Sequence, residues 1–171
     1  MNIFFIGMTP EEIAKYHCDA HVVKMILETV QLLCTACYYI CPNEQFVKKL
    51  YKKTHYNHPC AVWARTSYGN FKYLWLIGMN LCLEYTHRYK KTHKCEQIFD
   101  LLKANIKIIK KSFNESIEFT LPPLCMPDIY KQETKDMNDV IESYRAFYKS
   151  KEETMKKEMV WKTQEPSWFR E

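Results

Sequence analysis

The sequence predicts a mainly α protein: one compact helical domain over residues 1–171, a bundle of four to five helices behind a short N-terminal extended segment. Three observations predict it. Apolar residues recur at helical spacing along most of the chain. Hydrophobic residues make up 47% and aromatics 15% of 171 residues, which suits one real core and excludes disorder. Only three glycines occur, Gly7, Gly69 and Gly78, so Gly-rich phosphate loops are excluded. No internal repeat or low-complexity linker divides the chain.

Residues 2–7 (NIFFIG) read as a short buried strand or extended segment. Thr9 as N-cap, Pro10 at the first helical position and Glu12 three residues after the cap start a helix expected to run to about Tyr39. Pro42 and Asn43 end it, and residues 43–53 are short and polar, with room for a helical turn. THYNHPC (54–60) is a loop in which Asn57 or His58 caps a helix beginning at Pro59. Gly69 either breaks that helix or lies within one running to Tyr89. FKYLWLIGMNLCLEY is apolar nearly all round, as a central buried helix is. A third helix is expected over 94–112, an ordered proline-rich loop over 121–131, and a last helix from about Asn138 to Met159. Trp168 and Phe169 sit on an extended tail, where aromatics usually tack a terminus to the core.

The formal charge of +5 permits a polyanionic partner without requiring one. The excess is local: Arg88, Lys90, Lys91 and Lys94 cluster with His87 and His93 beside them. The N-terminus lacks a basic n-region, and most of the eight cysteines lie in apolar surroundings. These features predict free thiols in a reducing compartment, the cytoplasm of a host cell. No apolar run reaches the ~18 residues of a membrane span, so no membrane is expected.

One row of polar residues stands out. His17, His21, Lys24, Glu28 and Gln31 follow at steps of four, three, four and three, which stacks them on one helix face. Packing does not need two imidazoles, an amine, a carboxylate and an amide in one row. Glu28, Lys24, His21 and His17 are therefore the candidate catalytic groups, burial being the usual route to an acid and an amine nucleophile near neutral pH. The bland alternative is a solvated face of helical ion pairs. Arg65, with His58 seven residues before it, is a candidate phosphate grip, against a capping loop and one structural salt bridge. Arg88, Lys91 and Lys94, beside Tyr85 and Tyr89, are candidate nucleic-acid contacts, against a helix C-terminus whose cations answer the dipole. A metal is a further possibility at His17, Cys18, Asp19 and His21, or at His55, His58 and Cys60, but no HExxH and no paired CxxC supports it. No metal ligand and no cofactor is assigned.

HCDAHVVKMILETVQLL, THYNHPCAVWAR, EYTHRYKKTHK, CMPDIYK, YRAFY and PSWF together resemble a pattern found in small proteins of phages and large DNA viruses. The order of parts is also similar, more distantly, to the phage-type pyrimidine-dimer DNA glycosylases, also called endonuclease V. That resemblance implies a compact helical domain without metal, with DNA as partner. It implies Glu28 as the catalytic carboxylate, His21 and Lys24 in the groove, and Trp168 and Phe169 in place of an aromatic tail. That family uses the α-amine exposed when Met1 is removed beside a small residue. Here the second residue is the bulkier Asn2, and Lys24 is the only base near Glu28. Met1's own amine and Lys24 are thus both open as nucleophile.

Three functions follow. The first is a glycosylase/lyase in which an amine attacks deoxyribose C1′ and Glu28 moves the protons. The second is a metal-dependent hydrolase or nucleotide-modifying enzyme built on His17, His21 and His58. The third is a non-enzymatic viral protein that binds nucleotide or nucleic acid.

Overall fold

The computed structural model describes residues 2–114, 116–156 and 158–171. Among these, every regular element is helical; residues 2–6 form no helix or strand, and the chain bends from Gly7 into α1. The helices are α1 (Pro10–Tyr16), α2 (Asp19–Ile40), α3 (Pro59–Ala64), α4 (Tyr68–Tyr89), α5 (Glu96–Ala104), α6 (Ile106–Lys111), α7 (Met137–Lys149) and α8 (Lys151–Thr154). A 3-10 turn over Gln45–Lys49 occupies the short polar stretch after α2. The mainly α architecture agrees with the sequence, but the first, third and last helices expected from periodicity are each broken once, and the stretch 59–89 takes the broken form of its two alternatives.

The first break has a buried cause. Thr9 starts α1 with a capping box: its hydroxyl accepts from Glu12 N, and the Glu12 carboxylate accepts from Thr9 N. The helix stops at His17 (φ −66°, ψ 135°) and restarts at Asp19. Arg88, from the end of α4, fills the gap with a guanidinium that is fully buried. It donates to the carbonyls of Lys15 and His17, each at 2.9 Å, satisfying acceptors that a helix end leaves open. It also donates to Asp19 Oδ1 at 2.9 Å and Glu84 Oε1 at 2.6 Å. Residues 160–162 close the other side, where Asp19 N donates to Val160 O and Lys162 N donates to the Asp19 carboxylate.

The other breaks are local competition between side chain and backbone. Arg65 ends α3, and Ser67 caps α4 by accepting from Asn70 N. Gly69 is not the breaker. It lies in the first turn of α4, where a Cβ would fall 2.6 Å from Ile117 O, so its bareness admits the crossing chain. Asn105 Nδ2 donates to Leu101 O between α5 and α6, and Ser150 Oγ donates to Phe147 O between α7 and α8. The last helix therefore stops at Thr154, short of the Met159 expected; Lys157 lies outside the described residues.

The core forms where α2 packs on α4, with α1 and α3 alongside. Val22, Ile26, Val30 and Leu33 of α2 meet Phe71, Leu74, Ile77 and Leu81 of α4 in one buried cluster. At Gly78 a Cβ would lie 2.1 Å from Phe99 Cε1 and 3.0 Å from Thr29 Cγ2, so α2, α4 and α5 converge on a glycine. The 22-residue α2, with a window of mean hydropathy 1.3, passes as a membrane span on length and composition, contrary to the reading from sequence. In the fold 67% of that window is buried, as a core helix would be. All eight cysteines are free thiols.

Arg88→Met leaves the Asp19 and Glu84 carboxylates buried without their cation. The variant is expected to lose about 3–5 kcal/mol of unfolding free energy, or to fail to fold. Urea unfolding against wild type, with the exposed-site variant Lys91→Ala as control, measures it. Equal midpoints for Arg88→Met and wild type would contradict the role given to this arginine.

Candidate active site

Four stretches of chain surround a cavity of about 450 Å³. Asn2 and Phe4 come from the extended N-terminal segment, and His21, Lys24 and Glu28 from α2. Cys125–Pro127 come from the proline-rich loop, and Phe147 and Lys151 from the last helices. The aromatic and aliphatic residues of the N-terminal segment bury it against the core: Ile3, Phe4, Phe5 and Ile6 are all buried. That packing brings residue 2 back over the middle of α2.

Glu28, 8% exposed, anchors the cavity and engages a nitrogen with each oxygen. The main-chain N–H of Asn2 donates to Oε2 at 2.7 Å. Lys24 Nζ lies 3.3 Å from Oε1, one helical turn away. Asn2 is held from its side chain too: Nδ2 donates to Cys125 O at 2.7 Å, and Oδ1 accepts from Ile3 N at 2.8 Å. Residue 2 is therefore fixed at three points with its main-chain nitrogen against a carboxylate. Met1, whose amine is one of the nucleophiles open from sequence, lies outside the described residues.

Both histidines are buried and stay neutral, His21 in the cavity wall and His17 at the end of α1. Tyr148 OH accepts from Cys18 N at 2.9 Å, so its own proton goes to His21 Nδ1 at 2.8 Å. Burial first, then the charges of His17, Lys24 and Lys151, depress the His21 pKa to about 3. His17 donates from Nδ1 to Ile13 O at 2.6 Å. Burial is the main cause of its fall to about 4, with the Arg88 charge adding to it. The ring of Phe4 packs against both, 6.0 Å from His17 and 5.1 Å from His21. Opposite, burial and the Lys24 charge lower the Lys151 pKa, and its ammonium sits 3.9 Å over the Phe147 ring.

The structure brings together His21, Lys24 and Glu28 of the residues expected from sequence. His17 sits at the α1–α2 break and does not line the cavity. Arg88 is corrected from a phosphate contact to a buried structural hub, because its guanidinium is consumed by two carboxylates and two carbonyls. Lys91 and Lys94 are exposed and lie outside the cavity lining. Arg65 donates to Tyr56 O and stacks over Tyr56 and Tyr39, with 4.0 and 4.8 Å to the ring centroids. His58 caps α3. Trp168 and Phe169 are buried against Tyr16 and Tyr148, outside the lining. His17, His21 and His58 do not form a shared metal site; among the described residues the one group of three or more potential ligands is His58, Cys60 and Cys125. Sequence reasoning missed the Asn2 nitrogen, Tyr148, Lys151 and the Cys125 loop. Asn2 carried a signal only in its place next to Met1.

A family model for pyrimidine dimer DNA glycosylases matches residues 1–97. The chain belongs to the pyrimidine dimer DNA glycosylase family. No curated protein and no solved structure matches it significantly. Membership makes this a DNA glycosylase-type enzyme at the level of the family, with DNA as the class of substrate. The matched stretch contains Asn2, His21, Lys24 and Glu28. The remaining walls of the cavity, Cys125–Pro127 and Phe147–Met155, lie beyond it.

The buried histidines make stability depend on pH. Both folded values lie below the ordinary 6.5, so the unfolded chain binds protons first. The stability due to the neutral rings is full above about pH 6.5 and falls as the pH drops toward 4. Between about pH 7 and pH 4.5 each histidine is expected to remove at most about 2.5 kcal/mol. Urea midpoints at the two pH values test this, and His21→Gln should show the smaller drop. A wild-type midpoint unchanged between them would overturn the assignment of neutral buried rings.

Proposed function

We propose that the protein is a DNA glycosylase with abasic-site lyase activity, working through a Schiff base on the α-nitrogen of residue 2. The observation that carries this reading is the 2.7 Å contact between Asn2 N and Glu28 Oε2. Hydrolysis of the Met1–Asn2 bond by an aminopeptidase, which must accept Asn2 at the second position, converts that amide nitrogen into a primary amine beside the carboxylate. The amine attacks C1′ of the damaged nucleotide, and the bond from C1′ to the base breaks as the base departs with its electron pair. Glu28 takes a proton from the nitrogen, and one is delivered to the ring oxygen as the sugar opens to the imine. His21, being neutral, adds no further cation beside a carboxylate that already faces Lys24. Lys24 and Lys151 flank the cavity and hold the phosphates on either side of the extruded nucleotide. Lys91, Lys94 and Arg65 supply weaker, salt-sensitive attraction away from the reacting sugar.

Borohydride reduction during incubation with duplex DNA, carrying either a cyclobutane dimer or an abasic site, tests this. Wild type is expected to give a covalent adduct with at least one substrate. Glu28→Gln should slow its formation by about 100- to 10,000-fold with DNA binding retained. Lys24→Ala should weaken binding and still be trapped. No adduct with either DNA, from protein whose intact mass lacks Met1, would end the lyase reading. Salt-dependent DNA binding in that case would favour a non-enzymatic binding protein.

A further inference from the structure

A second cluster lies next to the cavity and has no part in the chemistry above. His58 and Cys60 stand at the start of α3, and Cys125 comes from the proline-rich loop. One potential ligand atom from each lies within 4.8 Å of the other two. The two sulfurs are 3.5 Å apart. We infer that His58, Cys60 and Cys125 form a binding site for a thiolate-preferring divalent metal ion, Zn²⁺ being the type, with three protein ligands and one open position.

The donor set selects the class of ion. Two sulfurs and an imidazole suit zinc and its neighbours, whereas calcium and magnesium take oxygen. Tetrahedral zinc has bonds of ~2.3 Å to sulfur and ~2.0 Å to nitrogen, which separates the ligand atoms by roughly 3.5–3.8 Å. The sulfur pair already stands near that spacing, and the imidazole needs only a small approach. Cys60 is fully buried while His58 and Cys125 are half-buried, so the site is closed toward the core and open toward solvent. His58 Nδ1 now accepts a 3.2 Å bond from Cys60 N. Ligation through either ring nitrogen replaces that bond, since Nδ1 then either binds the metal or carries the proton. Each thiol gives up its proton on binding, so two protons leave per metal while the imidazole binds neutral.

The site is a clasp for the neighbouring cavity and stays outside the reaction. Cys125 O accepts from Asn2 Nδ2, so the residue that holds the metal also holds residue 2. A metal here ties the 121–131 segment to α3 and steadies the wall on which Asn2 rests.

Cobalt(II) titration of the reduced, untagged protein tests the site by absorbance. One equivalent is expected to give a thiolate-to-cobalt charge-transfer band in the near ultraviolet and visible bands of tetrahedral intensity, with Zn²⁺ displacing the cobalt. Cys125→Ser and His58→Asn should each weaken binding at least about tenfold with unchanged circular dichroism. Asparagine keeps the cap of α3, so His58→Asn separates ligation from folding. Absence of the charge-transfer band, equal affinity in both variants, or a Cys60–Cys125 disulfide that forms in air despite added Zn²⁺ would each overturn the inference. The cobalt spectrum is independent of borohydride trapping, so failure of either reading is recognised by itself.

Discussion

The architecture depends on one buried cation. Arg88 reaches from the end of α4 into the gap between α1 and α2, where it meets two carboxylates and the open carbonyls of Lys15 and His17. A buried pair of this kind is weak evidence for net stability, because desolvation opposes the Coulombic gain. Its effect is on geometry. It turns one long rod into α1 and α2 and fixes where α2 begins. From Asp19 to Glu28 the helix rises about 13.5 Å, and six residues can reach at most about 20 Å, so the N-terminal segment 2–7 has the reach to return to Glu28. The fixed turn, the buried residues Ile3–Ile6 and the Cys125 carbonyl together set the register between Asn2 and a carboxylate 26 residues away.

The candidate site follows from that register. A half-formed ion pair on an exposed helix face would be worth little. Here the carboxylate is almost wholly buried, bonded to a main-chain nitrogen on one side and facing an ammonium on the other. Of the two histidines picked out by their spacing, His21 lines the cavity and His17 lies at the α1–α2 break, both neutral and packed against Tyr148 and Phe4. The family match covers the carboxylate and the N-terminal segment, while the loop and last helices that complete the cavity lie outside it. The matched stretch thus carries the carboxylate and the nitrogen that donates to it, and the later loop and helices complete the cavity.

Much of this was legible in the sequence, and the failures have physical causes. The Thr9 capping box, the apolar side of α2 and the row from His21 to Glu28 are local patterns, and local patterns survive folding. Apart from the break near Gly69, which was one of two open alternatives, the helix breaks were not legible, because hydrophobic periodicity continues across them. A tertiary cation at His17 and side-chain to backbone bonds at Asn105 and Ser150 decide those boundaries. Arg88 looked like a surface base because its neighbours Lys90 and Lys91 are exposed, and spacing alone cannot say which cation of a cluster points inward. Tyr148 and Lys151 are separated from His21 by more than a hundred positions, so no periodicity could bring them to the same cavity. The resemblance named the glutamate, while the Asn2 contact itself needed three-dimensional packing.

The most direct test of the account is to locate the trapped bond. Borohydride-reduced adduct on abasic-site DNA, digested with protease and nuclease, would be mapped by tandem mass spectrometry. The account predicts the deoxyribose remnant on the α-nitrogen of Asn2, in an N-terminal peptide that lacks Met1. A remnant on the Lys24 or Lys151 side chain, or on the amine of a retained Met1, would contradict it.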